Sequence, residues 1–199
     1  IAKKNNIEWC YEDNVTMAMM NSDVALKVIN RLKKYFEISS CEYLMLMEDD
    51  IWCRGEIDFN FSFNAIGANS KNNVYHPDVL SYISKKYNVE IKNNYFNLCG
   101  GSILNREIFI NNFDLIEKFL KEDHDYIRQI SKYEHDNFEY GGWDSTLNML
   151  YIICNKEVGI NPELTETWRD KDWKTNNKKL VHWYKSHYKR GKEYERFYL

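Results

Sequence analysis

Apolar side chains follow two patterns in the first quarter of the chain, one helical and one continuous. Residues 23–37 repeat apolar side chains every three or four positions, which predicts a helix capped by Asn21 or Ser22. Residues 43–47 are all apolar or aromatic, as is typical of a strand buried on both faces. Together with a short strand predicted at residues 7–11, this order indicates the strand–helix–strand unit of a parallel sheet.

Weaker patterns divide the rest of the chain into further elements. The predicted helices span residues 77–87, 115–130 and 146–155. The predicted strands span residues 95–98 and 157–161, and the tail is irregular. These elements predict an α/β protein with a mixed, mostly parallel sheet flanked by helices. The length suits one domain, residues 1–199, with a tail that begins at about residue 169.

Composition narrows the classes of protein to which this chain can belong. Aromatic residues make up 16% of it, well above the content of a disordered chain. Cysteines number five and show no C-x-x-C spacing, which indicates neither a disulfide framework nor a zinc site. They favour a reducing compartment such as the cytoplasm. No stretch is long enough to span a membrane.

Charge is distributed unevenly along the chain. The formal net charge is −3, yet residues 169–199 hold ten Lys or Arg and four Asp or Glu. That segment is therefore +6, and the rest of the chain is −9. A basic segment beside an acidic body favours an anionic ligand held between them. A solvated basic tail explains the charge equally well.

Three adjacent carboxylates, Glu48, Asp49 and Asp50, follow the apolar run. Ligands of open α/β sheets bind at the carboxyl ends of strands, where this triplet is expected. Adjacent carboxylates repel one another unless a cation lies between them, and Mg²⁺ and Mn²⁺ prefer oxygen ligands. The pattern predicts a metal site that holds a phosphorylated ligand, whereas the simpler interpretation is a solvated acidic loop.

Residues 140–145 combine two glycines with Trp143 and Asp144. The glycines permit a sharp turn or a close approach to a ligand, and the Trp143 ring offers a flat apolar face to a sugar. Asp144 opens the predicted helix, so it is a candidate N-cap. It is equally a candidate general base, because a carboxylate can take a proton from a hydroxyl that it meets directly.

Two further sets of residues are candidates for ligand contact. Gly100 and Gly101 lie in the turn at residues 97–102, where the backbone can contact a sugar or a phosphate. His182 lies in the basic, aromatic tail, and a neutral imidazole is a suitable Mn²⁺ ligand beside Asp50. The simple explanation of residues 97–102 is a turn between two elements. The simple explanation of His182 is a histidine on the protein surface.

The order of these motifs resembles that of GT-A glycosyltransferases. Glu48-x-Asp50 is similar to the DxD motif of that family, and Glu-Asp-Asp resembles its variant in protein-linked N-acetylglucosaminyltransferases. Trp143-Asp144 resembles the Trp-Asp of those enzymes, and residues 161–165 resemble their Pro-Glu-Ile-Ser motif. The sequence departs from that subfamily after Thr165, and the first strand of a GT-A fold is not found before Ile7.

The resemblance implies a GT-A-like nucleotide-sugar-binding fold and a sugar transfer dependent on Mn²⁺ or Mg²⁺. It implies a nucleoside-diphosphate-sugar donor, a UDP-sugar, and a glycan or glycoprotein acceptor rather than nucleic acid. The implied metal ligands are Asp50 and His182, and the implied base of an inverting transfer is Asp144. The implied donor and acceptor contacts are Glu48, Asp49, Gly100, Gly101, Trp143 and Lys185.

Two other functions fit the same residues. A metal-dependent phosphohydrolase would use the acidic triplet without needing Trp143. A non-catalytic sugar- or nucleotide-binding module would bind its ligand without turnover. Retention of the sugar's configuration also stays open, because Asp144 could orient a substrate instead of removing its proton.

Overall fold

The computed structural model describes residues 21–48, 51–57, 62–69, 74–134, 142–166 and 171–182. Its helices are α1 (Ser22–Ile38), α2 (Pro77–Tyr87), α3 (Arg106–Asn111), α4 (Phe113–Glu122), α5 (His124–Glu134) and α6 (Trp143–Ile153). Its strands are β1 (Tyr43–Met45), β2 (Ile51–Cys53), β3 (Ala65–Gly67), β4 (Ile103–Asn105), β5 (Val158–Ile160), β6 (Leu164–Glu166) and β7 (Leu180–His182). The predicted strand at residues 7–11 lies outside the described residues.

Local sequence signals located the first two helices correctly. The Asn21 side chain accepts a hydrogen bond from the Val24 N–H and caps α1, as predicted. Pro77 is at the start of α2, where backbone N–H groups have no partner within the helix. The lack of an N–H in proline therefore costs no helical hydrogen bond there. Asn88 ends α2 in the left-handed conformation, a common helix stop.

The single helix predicted at residues 115–130 is wrong, because the chain forms α4 and α5 with a break at Asp123. Asp123 and His124 are buried at this break although both are polar. A break that depends on buried polar groups gives no signal in the apolar spacing.

Two mixed sheets lie among the described residues. The first has the strand order β1-β4-β3-β5, and the second has the order β2-β7-β6. Only the β3–β5 and β6–β7 pairs are parallel, and the β1–β4, β3–β4 and β2–β7 pairs are antiparallel. The α/β class is thus confirmed, but the prediction of mostly parallel pairing is wrong for these strands.

The apolar run after α1 gives a different strand from the one expected. Within the described sheet β1 is an edge strand, it pairs antiparallel with β4, and its residues are half-buried. Met47, at the end of the run, is 52% exposed. A continuous apolar run therefore does not mark a central parallel strand here.

Other strand predictions had mixed outcomes. The strand at residues 157–161 is confirmed as β5. The strand at 95–98 is wrong, because in that segment Tyr95 makes only an isolated bridge to Val74. The tail is not irregular throughout, since β7 forms within it and pairs with two strands.

The hydrophobic core has two parts. The larger part joins α1, α2, α4 and α6 to the first sheet, with Phe36, Phe109 and Phe119 among its fully buried side chains. A smaller cluster joins the two sheets near the ends of their strands, and it consists of Ala68, Cys99, Leu164 and Leu180. The Cys99 thiol therefore lies in an apolar cluster and also contacts a polar residue, His182.

Gly67→Ala is expected to destabilise the first sheet. A Cβ at Gly67 would lie 2.2 Å from the Asn97 carbonyl oxygen, which already accepts a hydrogen bond from the Ala68 N–H. Overpacking against fixed backbone should lower the free energy of unfolding by about 2 kcal/mol. Urea unfolding measures this, with Gly159→Ala on β5 as the matched control. There a Cβ would lie 3.3 Å from the Ile66 side chain and 3.8 Å from the Ala65 carbonyl oxygen, so equal losses in the two variants would contradict the prediction.

Candidate functional site

His182 lies where three strands of the second sheet meet. It ends β7, between β6 and β2, and its backbone pairs with Glu166 on one side and with Ile51 on the other. Only 4% of His182 is exposed. The alternative interpretation of His182 as a surface residue of the tail is therefore wrong, because His182 is buried at the end of a central strand.

A tight turn before β4 brings two glycines close to this strand end. The Ser102 N–H donates to the Cys99 carbonyl oxygen, and Gly101 has φ +83°, as in a type II turn. The Ser102 hydroxyl also accepts a hydrogen bond from the Cys99 N–H at 2.8 Å. The turn therefore fixes the backbone that carries the Cys99 thiol.

Gly100 allows Glu48 to approach this turn. A Cβ at Gly100 would lie 3.0 Å from the Glu48 carboxyl carbon and 3.0 Å from the Ile51 side chain. Glu48 follows β1, and its carbonyl oxygen accepts a hydrogen bond from the Ile51 N–H. The first carboxylate of the acidic triplet thus packs on the glycine turn.

Cys99, Glu166 and His182 form the centre of the site. The Cys99 sulfur lies 3.7 Å from His182 Nδ1, and Glu166 Oε1 lies 3.8 Å from the same nitrogen. One ligand atom from each of the three residues falls within 4.8 Å of the other two. All three side chains are buried, so a thiol, a carboxylate and an imidazole meet away from solvent.

Negative charge converges on this centre. Burial raises the pKa of the Cys99 thiol well above its ordinary value, and the carboxylates of Asp144, Glu166 and Glu48 raise it further. These carboxylates come from α6, from β6 and from the segment after β1. The site therefore favours cations, and a cation would offset the mutual repulsion of its carboxylates.

Asp144 is the second residue of α6 and does not cap it. Gly142 is the N-cap residue, so the N-cap interpretation of Asp144 is wrong. A carboxylate in the first turn still benefits from the positive end of the helix dipole. Its effect on Cys99 shows that Asp144 contributes charge to the site.

Trp143 belongs to the core and not to an open surface. It is 9% exposed and packs in the larger hydrophobic cluster. This burial leaves little of the ring to stack on a sugar, in contrast to the expectation for residues 140–145.

The structure brings Glu48, Gly100, Gly101, Asp144 and His182 to one region, from distant parts of the sequence. The predicted ligand Asp50, its neighbour Asp49 and the predicted donor contact Lys185 lie outside the described residues.

Sequence reasoning missed Cys99 and Glu166. Both residues lie beside sequence signals, because Cys99 is part of the turn at residues 97–102 and Glu166 directly follows the motif at residues 161–165. In that segment Asn161 is fully buried and donates to the Gly101 carbonyl oxygen at 3.1 Å. This bond ties the start of the segment to the glycine turn, and β6 then carries Glu166 to His182.

Comparison of the chain with protein-family models, curated proteins and solved structures finds no match. No helix in the described parts of the chain is both long and apolar enough to cross a membrane.

Proposed function

We propose that this chain is a glycosyltransferase that moves a sugar from a nucleoside-diphosphate sugar, a UDP-sugar, to a hydroxyl acceptor with the help of a divalent metal ion. The supporting observation is the convergence of Glu48, Asp144 and His182 on the Cys99 turn. These residues come from motifs that the sequence offered separately for metal, base and donor contact. Their meeting favours one site that combines the three roles.

The pairing of β2 with β7 supports a metal at His182. Ile51, which follows Asp50 directly in the sequence, is the cross-strand partner of His182. Asp50 lies outside the described residues and directly precedes this strand pair in the sequence, and it is proposed as a further carboxylate ligand of the ion.

A bound divalent ion would neutralise the charge that grows on a leaving diphosphate, as a Lewis acid does. His182 and its neighbouring carboxylates would hold such an ion beside the Gly100–Gly101 turn. The basic segment of residues 169–199, which includes Lys185, adds positive charge for the phosphates.

Asp144 takes the proton in the proposed transfer. The acceptor oxygen forms a bond to the anomeric carbon while the bond from that carbon to the diphosphate oxygen breaks. The acceptor proton passes to the Asp144 carboxylate, and the nucleoside diphosphate leaves with both bonding electrons. Attack opposite the leaving group inverts the anomeric configuration.

A panel of nucleotide sugars tests this function. The full chain is incubated with Mn²⁺, Mg²⁺ or Zn²⁺ and with simple glycosides as acceptors, and the release of free nucleoside diphosphate is measured. We expect metal-dependent release from at least one UDP-sugar. His182→Gln should abolish this release, and His76→Gln, a change at the N-cap of α2, should leave it nearly unchanged.

The alternatives predict other results. A phosphohydrolase would release inorganic phosphate from simple phosphate esters and would ignore the sugar acceptor. A binding module would retain the nucleotide sugar without releasing diphosphate. Either result overturns the proposed transfer.

A further inference from the structure

We propose that Cys99, Glu166 and His182 form a binding site for a thiophilic divalent ion, of which Zn²⁺ is the representative. This site goes beyond the proposed sugar transfer, because its support comes from the three side chains alone. The absence of C-x-x-C spacing argued against zinc, but here the ligands come from three separate segments. Such a site leaves no spacing signature in the sequence.

The distances between the ligand atoms fit a tetrahedral ion. With Zn–S and Zn–N bonds of about 2.3 and 2.0 Å, the sulfur and nitrogen of a tetrahedral site lie about 3.5 Å apart. The Cys99 sulfur and His182 Nδ1 lie 3.7 Å apart. The carboxylate oxygen lies 3.8 Å from the same nitrogen, against about 3.3 Å in an ideal site, and within 4.8 Å of the sulfur, so Glu166 has to move toward the other two ligands when an ion binds.

The backbone holds the three ligands in place before any ion binds. Glu166 and His182 are register partners in the parallel β6–β7 pair. Cys99 is held by the hydrogen bonds between its backbone and Ser102. Ligands on paired strands and a closed turn lose little conformational freedom on binding, so the site is organised in advance.

The balance of charge also favours a divalent ion. Cys99, Glu166 and His182 are 8%, 6% and 4% exposed, so an ion held by them would be shielded from solvent. A thiolate and a carboxylate together carry two negative charges, the neutral imidazole carries none, and a divalent ion balances them. Three protein ligands then leave a fourth position for water or, if the proposed function holds, for a donor oxygen.

The thiolate decides which metals are preferred. Mn²⁺ and Mg²⁺ suit oxygen ligands, whereas a soft thiolate selects ions such as Zn²⁺ and, as a spectroscopic substitute, Co²⁺. A sulfur–nitrogen–oxygen set thus differs from the oxygen-rich Mn²⁺ site expected from Asp50. His182 is a ligand in both the proposed Cys99–Glu166–His182 site and the Asp50–His182 site. The two proposals therefore differ in which other residues bind the same ion.

Cobalt substitution tests the thiolate bond directly. The purified full chain is freed of metal with a chelator and titrated with Co²⁺ without any nucleotide or sugar. We expect a thiolate-to-cobalt charge-transfer band in the near ultraviolet. The band should persist in Cys154→Ser, a control at a partly buried thiol, and disappear in Cys99→Ser, which removes the buried thiol of the site.

Zinc affinity gives the second measurement. Competition with a chromogenic chelator should show saturable Zn²⁺ binding that weakens by at least about 100-fold in Glu166→Gln and in Cys99→Ser, more than a supporting residue would cost. Binding should also release the Cys99 proton, which a weakly buffered indicator detects. Circular dichroism of each variant shows whether it folds, and Glu166→Gln keeps the size of the side chain.

Three outcomes would overturn the proposal. The first is a folded wild-type chain that binds no Zn²⁺. The second is Zn²⁺ binding that Cys99→Ser leaves unchanged, which would identify an ion held elsewhere. The third is Co²⁺ binding without the charge-transfer band, which would mean oxygen and nitrogen ligands only. None of these measurements depends on sugar transfer. A chain without the proposed Zn²⁺ site and a chain without activity toward nucleotide sugars would therefore be distinguished.

Discussion

Asp144→Asn is expected to lower the turnover of sugar transfer by a factor of ~10²–10⁴. The amide has nearly the size of the carboxylate but cannot accept the acceptor's proton. Binding of the nucleotide-sugar donor, which depends on the metal and the phosphates, should change little. The expected signature is a large fall in kcat beside a nearly constant dissociation constant for the nucleoside diphosphate.

Asp114→Asn supplies the matched control. Asp114 is the second residue of α4, as Asp144 is of α6, and it lies exposed at the start of its helix. Both substitutions remove a favourable charge from a first turn, which is worth about 0.3–1 kcal/mol. Only Asp144→Asn should reduce turnover, whereas the melting temperatures of both variants should fall slightly. Wild-type turnover in Asp144→Asn would leave Asp144 with a role in helix stability alone.

The sequence predicted best the elements whose causes are local. The Asn21 cap and the Pro77 start lie within a few residues of the turns that they stabilise, so short windows were sufficient for α1 and α2. The apolar run at residues 43–47 was misassigned because its pairing with β4 depends on residues far along the chain. Strand partners and strand direction are properties of the fold that apolar periodicity does not encode.

The candidate site was foreseen only in part for the same reason. Glycines, carboxylates and a histidine in short motifs identified Glu48, Gly100, Asp144 and His182. Cys99 lies inside the turn at residues 97–102 and Glu166 directly follows residues 161–165, yet neither was selected, because their proximity to His182 depends on the register of β6 and β7 and on the turn before β4. Trp143 was predicted to stack on a sugar because its aromatic ring lies in a glycine-rich segment, but it is a buried core residue.

A second group of buried polar residues stabilises the helices away from the site. Asp123, at the break between α4 and α5, is 1% exposed and accepts hydrogen bonds from three side chains of α2. The Tyr82 hydroxyl donates at 2.6 Å, and the Lys86 ammonium and the Tyr87 hydroxyl donate as well. This carboxylate therefore fixes α2 against the junction that interrupts the expected long helix.

Asp123→Ala should lower the free energy of unfolding by about 3 kcal/mol. The substitution leaves two tyrosine hydroxyls and an ammonium without their shared acceptor. This loss is at the lower end of the range for breaking a buried ion pair. The Lys86 side chain is 38% exposed, so its ammonium group can bind water after Asp123 is removed. Urea unfolding at neutral pH measures the loss, with the exposed neighbour Glu122→Ala as the control that should cost far less.

The loss should depend on pH with a defined sign. Burial alone would raise the pKa of the Asp123 carboxyl, but the hydrogen bonds from Lys86, Tyr82 and Tyr87 outweigh it and lower the pKa. A folded-state pKa below the unfolded value of about 3.9 gives stability that is complete above that pH and fades as the pH falls through the folded pKa. The difference in unfolding free energy between the wild-type chain and Asp123→Ala should therefore stay constant from pH 7 to about pH 5 and shrink in stronger acid. A difference that grows on acidification would show that Asp123 is protonated in the folded protein and that its network is not ionic.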